Sequence, residues 1–153
     1  MTTAIIVQAR MASTRLPGKI LKKVLDKTLL EYQLERLYRV KSADQVIIAT
    51  TDQEQEQPIV DLCQKLSVPY FRGSEEDVLS RYYGAATKYQ VDTVVRVTSD
   101  CPLIDPAVVN KVISFYLSNQ NEYDYVSNTF PELTYPRGMD TEVFSYKALR
   151  GAF

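Results

Sequence analysis

Short apolar runs rich in β-branched residues alternate with longer segments whose apolar residues recur at helical spacing. That order, repeated along the chain, constrains the fold more than any other feature of the sequence. Ala4-Ile5-Ile6-Val7 reads as a buried strand. Gln45 to Thr50, centred on Val46-Ile47-Ile48, reads as a second, and Pro69 to Phe71 as a short third. Thr93 to Val97 and Tyr123 to Val126 supply two more, and Glu142-Val143-Phe144 is positioned to pair with the same sheet. Between them lie helical stripes: Leu30, Leu34 and Leu37; Ile59, Leu62, Cys63 and Leu66; Val78, Tyr82, Ala85, Ala86 and Tyr89; Val109, Val112, Ile113 and Tyr116. The boundaries carry their own signals. Thr28 and Glu31 have capping-box spacing, Pro58 suits a first helical turn, and Asp105-Pro106 reads as an N-cap followed by a helix-starting proline. Ser74 to Asp77 resembles a further cap, and Ser145 to Phe153 a helix that begins and then stops. Strand and helix in alternation predict an α/β chain with three αβα layers around a mostly parallel sheet.

The 153 residues suit one domain, expected over 1–153 and truncated at its C-terminal side. The net charge is −1, so no global basic field draws the chain to nucleic acid or membrane, and any anion site must be local. The first residues show neither a basic n-region nor a long apolar run, and no stretch approaches membrane length. Cys63 and Cys101 lie far apart and form no metal-type pair, so a reducing cytoplasm is the expected compartment. Histidine is absent, which removes the commonest general base and transition-metal ligand.

In open α/β sheets, ligands bind beyond the carboxyl ends of the strands. Two polar segments belong there. Gln8 to Lys19 carries Arg10, Arg15 and Lys19 with no acid among them, together with Ser13, Thr14 and Gly18. Guanidinium forks, an ammonium and open backbone N–H groups are what a triphosphate needs. The loop is neither a Walker A sequence nor G-x-G-x-x-G. An ordinary basic surface loop is the competing reading. In the second segment, Arg96 to Asp105, Asp100 ends a strand and faces the same mouth. A carboxylate beside a phosphate site calls for a bridging cation, and Mg2+ is the natural one. A loop aspartate capping a backbone N–H is the alternative. Asp105 is such a cap. In Gly138-Met139-Asp140-Thr141-Glu142, alternation along a strand puts Asp140 and Glu142 on one face, so either could be a second metal ligand.

At these segments the chain resembles a known family. The run Val7-Gln8-Ala9-Arg10-Met11-Ala12-Ser13-Thr14-Arg15-Leu16-Pro17-Gly18-Lys19 is similar to the signature loop of cytidylyltransferases, above all the SpsF-like spore coat polysaccharide group. CMP-Kdo synthetases and acylneuraminate cytidylyltransferases are more distant relatives in the same resemblance. Phe71 to Leu79 with Arg81-Tyr82-Tyr83, Asp100 to Pro106, and Asp124 to Asn128 resemble the same group. The resemblance implies a nucleotide-diphospho-sugar transferase fold. It implies transfer of CMP from CTP to a sugar, with release of pyrophosphate and a requirement for Mg2+. By motif position, Arg10, Ser13, Arg15 and Lys19 would hold the nucleotide, with Arg72, Gly73 and Ser74 also close to it. Arg10, Lys19 and Asp100 would carry the catalysis, and Asp100 and Asp140 the metal. The partners so implied are CTP and a sugar acceptor, with a homodimer left open.

Two departures stand out. Ser99 occupies a position usually held by glycine, and Pro136-Arg137-Gly138-Met139-Asp140 has a base where the group commonly has an acid. Two other classes compete with the cytidylyltransferase reading: a glycosyltransferase of related fold, and a nucleotide-binding module without catalysis.

Overall fold

A computed structural model describes all 153 residues. Its centre is a six-stranded sheet. Strand β1 (Thr3–Gln8) pairs in parallel with β4 (Gln45–Thr51) on one side and β6 (Thr93–Thr98) on the other. Beyond β4 lies β5 (Tyr70–Gly73), also parallel. On the other side β8 (Glu142–Ser145) runs antiparallel to β6, and β7 (Tyr125–Ser127) antiparallel to β8 at the edge. The spatial order is β5-β4-β1-β6-β8-β7. A small antiparallel hairpin, β2 (Lys23–Val24) and β3 (Lys27–Thr28), stands apart.

Five helices cover the sheet: α1 (Leu29–Leu37), α2 (Gln57–Leu66), α3 (Val78–Lys88), α4 (Pro106–Ser118) and α5 (Tyr146–Ala152). The alternation of β1 sorts them into two layers. Ile5 and Val7 enter the larger core with Leu30, Leu34 and Leu37 of α1, Ile59 and Cys63 of α2, and Val109, Val112, Ile113 and Tyr116 of α4. Ala4 and Ile6 point the other way, onto Tyr82, Ala85 and Ala86 of α3 and Leu149 of α5. Both faces of the central strands are therefore apolar, as a covered parallel sheet requires. The expected three-layer αβα architecture is the one observed.

The caps expected at the starts of α1, α3 and α4 are observed. Thr28 and Glu31 exchange side-chain and backbone hydrogen bonds at the start of α1, and Asp105 caps α4 ahead of Pro106. Asp77 caps α3, and Ser145 caps α5. Three expectations need correction. On α2 the buried face is Ile59, Val60 and Cys63, turned toward Val60 from the expected stripe, and Leu66 is exposed at the helix end. The third strand begins and ends later than expected, at Tyr70 and Gly73. The β7 strand is Tyr125–Ser127 rather than starting at Tyr123. The β2–β3 hairpin was not foreseen. Its turn holds Leu25 at φ 59, without the glycine or asparagine that marks such turns.

The strand order reverses at β1. Chain connections leave β1 toward β4 on one side and arrive at β6 on the other, so the carboxyl ends of β1 and β6 flank a crevice.

Candidate functional site

The crevice at this reversal is an open cleft of about 890 Å3. The loop after β1 and the turn after β6 form its walls. Arg10, Ser13, Arg15 and Lys19 line it from the first, and Thr98, Ser99 and Asp100 from the second. Arg96 also reaches it from within β6.

The basic loop is held by its backbone. The Ala9 N–H donates to the Ala49 carbonyl at 3.0 Å and continues the sheet pairing past the end of β1. Gly18 closes the far end, its N–H donating to the Met11 carbonyl at 2.9 Å. Gly18 has φ +67, and a Cβ there would lie 3.2 Å from the Met11 methyl, so glycine suits both the conformation and the space. Between them the Met11 N–H donates to Glu56 Oε2 at 2.7 Å. Glu56 comes from the turn between β4 and α2 and is completely buried. Its other oxygen, Oε1, has no hydrogen-bond partner. With the backbone fixed, Arg10 and Arg15 extend into solvent at the cleft, while Lys19 and Ser13 are half-buried.

Asp100 does not end a strand, as the sequence suggested. β6 stops at Thr98 because its partner β1 ends at Gln8, whose carbonyl takes a last N–H from Ser99, and Asp100 sits in the turn beyond. The Thr98 hydroxyl donates to Asp100 Oδ1 at 2.7 Å. That hydrogen bond holds the Asp100 carboxyl below its usual pKa, against the opposing effect of partial burial, and the nearby Lys19 charge acts in the same direction. Lys19 Nζ lies 4.0 Å from Asp100 Oδ2. Burial pushes the neighbouring Cys101 thiol up.

The two later acids separate. Strand β8 begins at Glu142, so Asp140 lies outside it and strand alternation does not relate the two. Glu142 accepts from Arg96 through one oxygen and from the Tyr125 hydroxyl, at 2.7 Å, through the other. Both its oxygens are committed, which leaves Asp140 as the free carboxylate of the pair. Asp140 is exposed and its charge is felt at Cys101, next to Asp100, although Asp140 is not part of the cleft wall.

Arg72, Gly73 and Ser74 are not brought into the cleft. The Arg72 guanidinium donates to the Thr51 and Gln53 carbonyls, at 3.1 and 2.7 Å, and to the Gln57 side chain at 3.1 Å. It staples the turn between β4 and α2. A Cβ on Gly73 would lie 2.9 Å from the Phe71 ring. The Ser74 carbonyl accepts from the fully buried Arg81 at 3.0 Å. In this structure each of the three has a packing or bracing role.

Sequence reasoning passed over four residues of the site. Arg96 interrupts the apolar run Thr93 to Val97, which is a signal in itself. Thr98 is readable only once its turn is known. Gln33 and Glu56 are polar groups buried against the two loops, and nothing in their local sequence sets them apart. Arg96 also borders a second cavity of about 500 Å3, lined mainly by apolar groups including Tyr82, Phe144 and Leu149. No cluster of three or more potential metal-ligating His, Cys, Asp or Glu side chains exists. Mg2+ commonly takes one or two carboxylates together with phosphate oxygens.

The family described as Cytidylyltransferase matches residues 4–148. A cytidylyltransferase from Leptospira borgpetersenii superposes with a TM-score of 0.92 at 40% identity, over 99% of this chain and 63% of that one. The spore coat polysaccharide biosynthesis protein SpsF of Bacillus subtilis is 35% identical over 127 residues, 80% of this chain and 53% of the relative. A 3-deoxy-manno-octulosonate cytidylyltransferase of Chlamydia trachomatis is 33% identical over 142 residues, 90% of this chain and 53% of the relative. The chain spans about half the length of these curated relatives.

Proposed function

The chain belongs to the cytidylyltransferase family, and from that premise we propose that it transfers CMP from CTP to a sugar acid, releasing pyrophosphate, as a step in building a surface polysaccharide. The observation that carries this reading is the cleft between β1 and β6, where three cations of one loop stand across from the Asp100 carboxylate. The acceptor class rests on the relatives, one named for spore coat polysaccharide and one for 3-deoxy-manno-octulosonate.

In the reaction an acceptor hydroxyl oxygen attacks the α-phosphorus of CTP in line. The new phosphorus–oxygen bond forms as the bond to the β-phosphate breaks, and pyrophosphate carries away the electron pair. Arg10 and Lys19 neutralise the charge that grows on this leaving group, and Arg15 and Ser13 hold the triphosphate in place. Because the loop backbone is pinned at Ala9, Met11 and Gly18, these groups need little reorganisation when charge develops. These 153 residues supply no histidine for the acceptor proton.

Asp100 and Asp140 would hold a divalent cation, in our reading Mg2+. Asp100 fits that role: its carboxyl is held ionised and stands at an open cleft beside phosphate-binding cations. When bound, such an ion screens phosphate charge and polarises the oxygens it touches. A cytoplasmic setting agrees with two unpaired thiols, Cys63 and Cys101.

The test is incubation with CTP, Mg2+ and a panel of sugar acids that includes 3-deoxy-manno-octulosonate. Pyrophosphate and a CMP-sugar are expected in equal amounts. Consumption of a nucleotide sugar without pyrophosphate would identify a glycosyltransferase instead.

A further inference from the structure

Asp100 stands in an exposed turn, and exposed turns are ordinarily loose. This one is not, because a side chain from another layer grips it. Gln33 lies on α1, in the main core, and is completely buried. Its Nε2 donates to the Thr98 carbonyl at 2.6 Å. Its Oε1 accepts from the Cys101 N–H at 3.3 Å. Those two backbone groups bracket Ser99 and Asp100. The amide orientation follows from its partners, since a carbonyl only accepts and a backbone N–H only donates.

A glutamine is a costly choice at this position. The rest of the α1 stripe is Leu30, Leu34 and Leu37, all buried, and a fourth apolar residue would suit the stripe. The amide instead acts as a one-residue substitute strand. It satisfies the donor and acceptor freed where β6 ends, and it does so from a helix clamped by its own capping box. The Thr98 hydroxyl then aims Asp100 from within the same gripped segment.

We propose that Gln33 is a positioning residue, which sets Asp100 for a divalent cation by clamping the backbone on both sides of it. This rests on the reading of Asp100 as a metal-holding carboxylate. Gln33 is buried and does not line the cleft.

The decisive variant is Gln33→Met, of similar length but without the amide. CTP is titrated calorimetrically into parent and variant, with and without Mg2+. The variant is expected to bind metal-free CTP as the parent does, while its Mg2+ affinity falls roughly 10- to 100-fold, the usual cost of losing an outer-shell partner. A merely structural role would lower the melting temperature and leave the Mg2+ midpoint alone. An unchanged midpoint beside a Mg2+-responsive parent overturns the inference. A parent without any Mg2+ response overturns the metal reading of Asp100 itself, and the role of Gln33 with it. Hydrogen exchange on the parent covers the case in which the variant does not fold. The Cys101 amide should be protected like the core strands, and exchange at the rate of a free turn would overturn the clamp.

Discussion

Lys19 and Asp100 face each other across the cleft, with the ammonium nitrogen 4.0 Å from the nearer carboxylate oxygen. Both side chains are partly exposed, so the pair adds little to stability. Its value lies in placing a cation and an anion, from two different loops, on either side of one site. Lys19→Ala should therefore leave the urea midpoint nearly unchanged. Loss of a hydrogen bond to a charged group costs about 1.5–3 kcal/mol, so kcat/KM for CTP should fall roughly 10- to 100-fold. A normal rate in this variant would remove Lys19 from the machinery.

The Thr98 hydroxyl is the main reason the Asp100 carboxyl stays below its usual pKa. The sign follows from linkage. A lowered native pKa stabilises the fold above the unfolded value, about 3.9 for aspartate, and that contribution is lost as pH falls through the native value. Thr98→Val should raise the Asp100 pKa in a carboxyl-resolved NMR titration. It should also make the variant less sensitive than the parent to acid below about pH 4. An Asp100 pKa unaffected by this substitution would contradict the assigned cause.

Glu56 holds the basic loop by accepting from the Met11 N–H. Glu56→Gln keeps an acceptor there, whereas Glu56→Ala leaves a buried donor unpaired, at a cost of about 1–3 kcal/mol. The expected order of stability in urea puts the alanine variant below the glutamine variant. CTP affinity should follow the same order, because the loop carries Arg10. Equal stability of the two variants would show that the hydrogen bond is dispensable.

Gly84 sits inside α3, where alanine is ordinarily better by about 1 kcal/mol. Here a Cβ would clash with the Phe71 ring, which a Cβ on Gly73 would also crowd. Overpacking costs about 1–3 kcal/mol and should win. Gly84→Ala should lower the denaturation midpoint, and a raised midpoint would show that Phe71 has room to move.

The architecture was legible because local signals agreed with one another. Apolar runs of strand length, stripes at helical period and the caps at Thr28 and Asp105 all point to one layered sheet. The basic loop was legible for a different reason: three cations without an acid stand out in a chain of net charge −1. What escaped the sequence depends on contacts between residues far apart in the chain. Gln33 meets Thr98 and Cys101 across more than sixty positions, and Glu56 meets Met11 across forty-five. Arg72 was placed near the nucleotide by resemblance; its guanidinium bonds the carbonyls of Thr51, at the end of β4, and Gln53, in the turn beyond, contacts that spacing does not reveal. Asp140 and Glu142 could not be told apart by spacing. The strand boundary and the Arg96 partner of Glu142 separate them.

The most direct test of the nucleotide assignment is a calorimetric titration of the folded protein with CTP, UTP, ATP and GTP, each with and without Mg2+. The account predicts that CTP binds, that Mg2+ strengthens its binding, and that the other three bind more weakly or not at all. Equal binding of all four, or no binding of CTP to a folded sample, would contradict it.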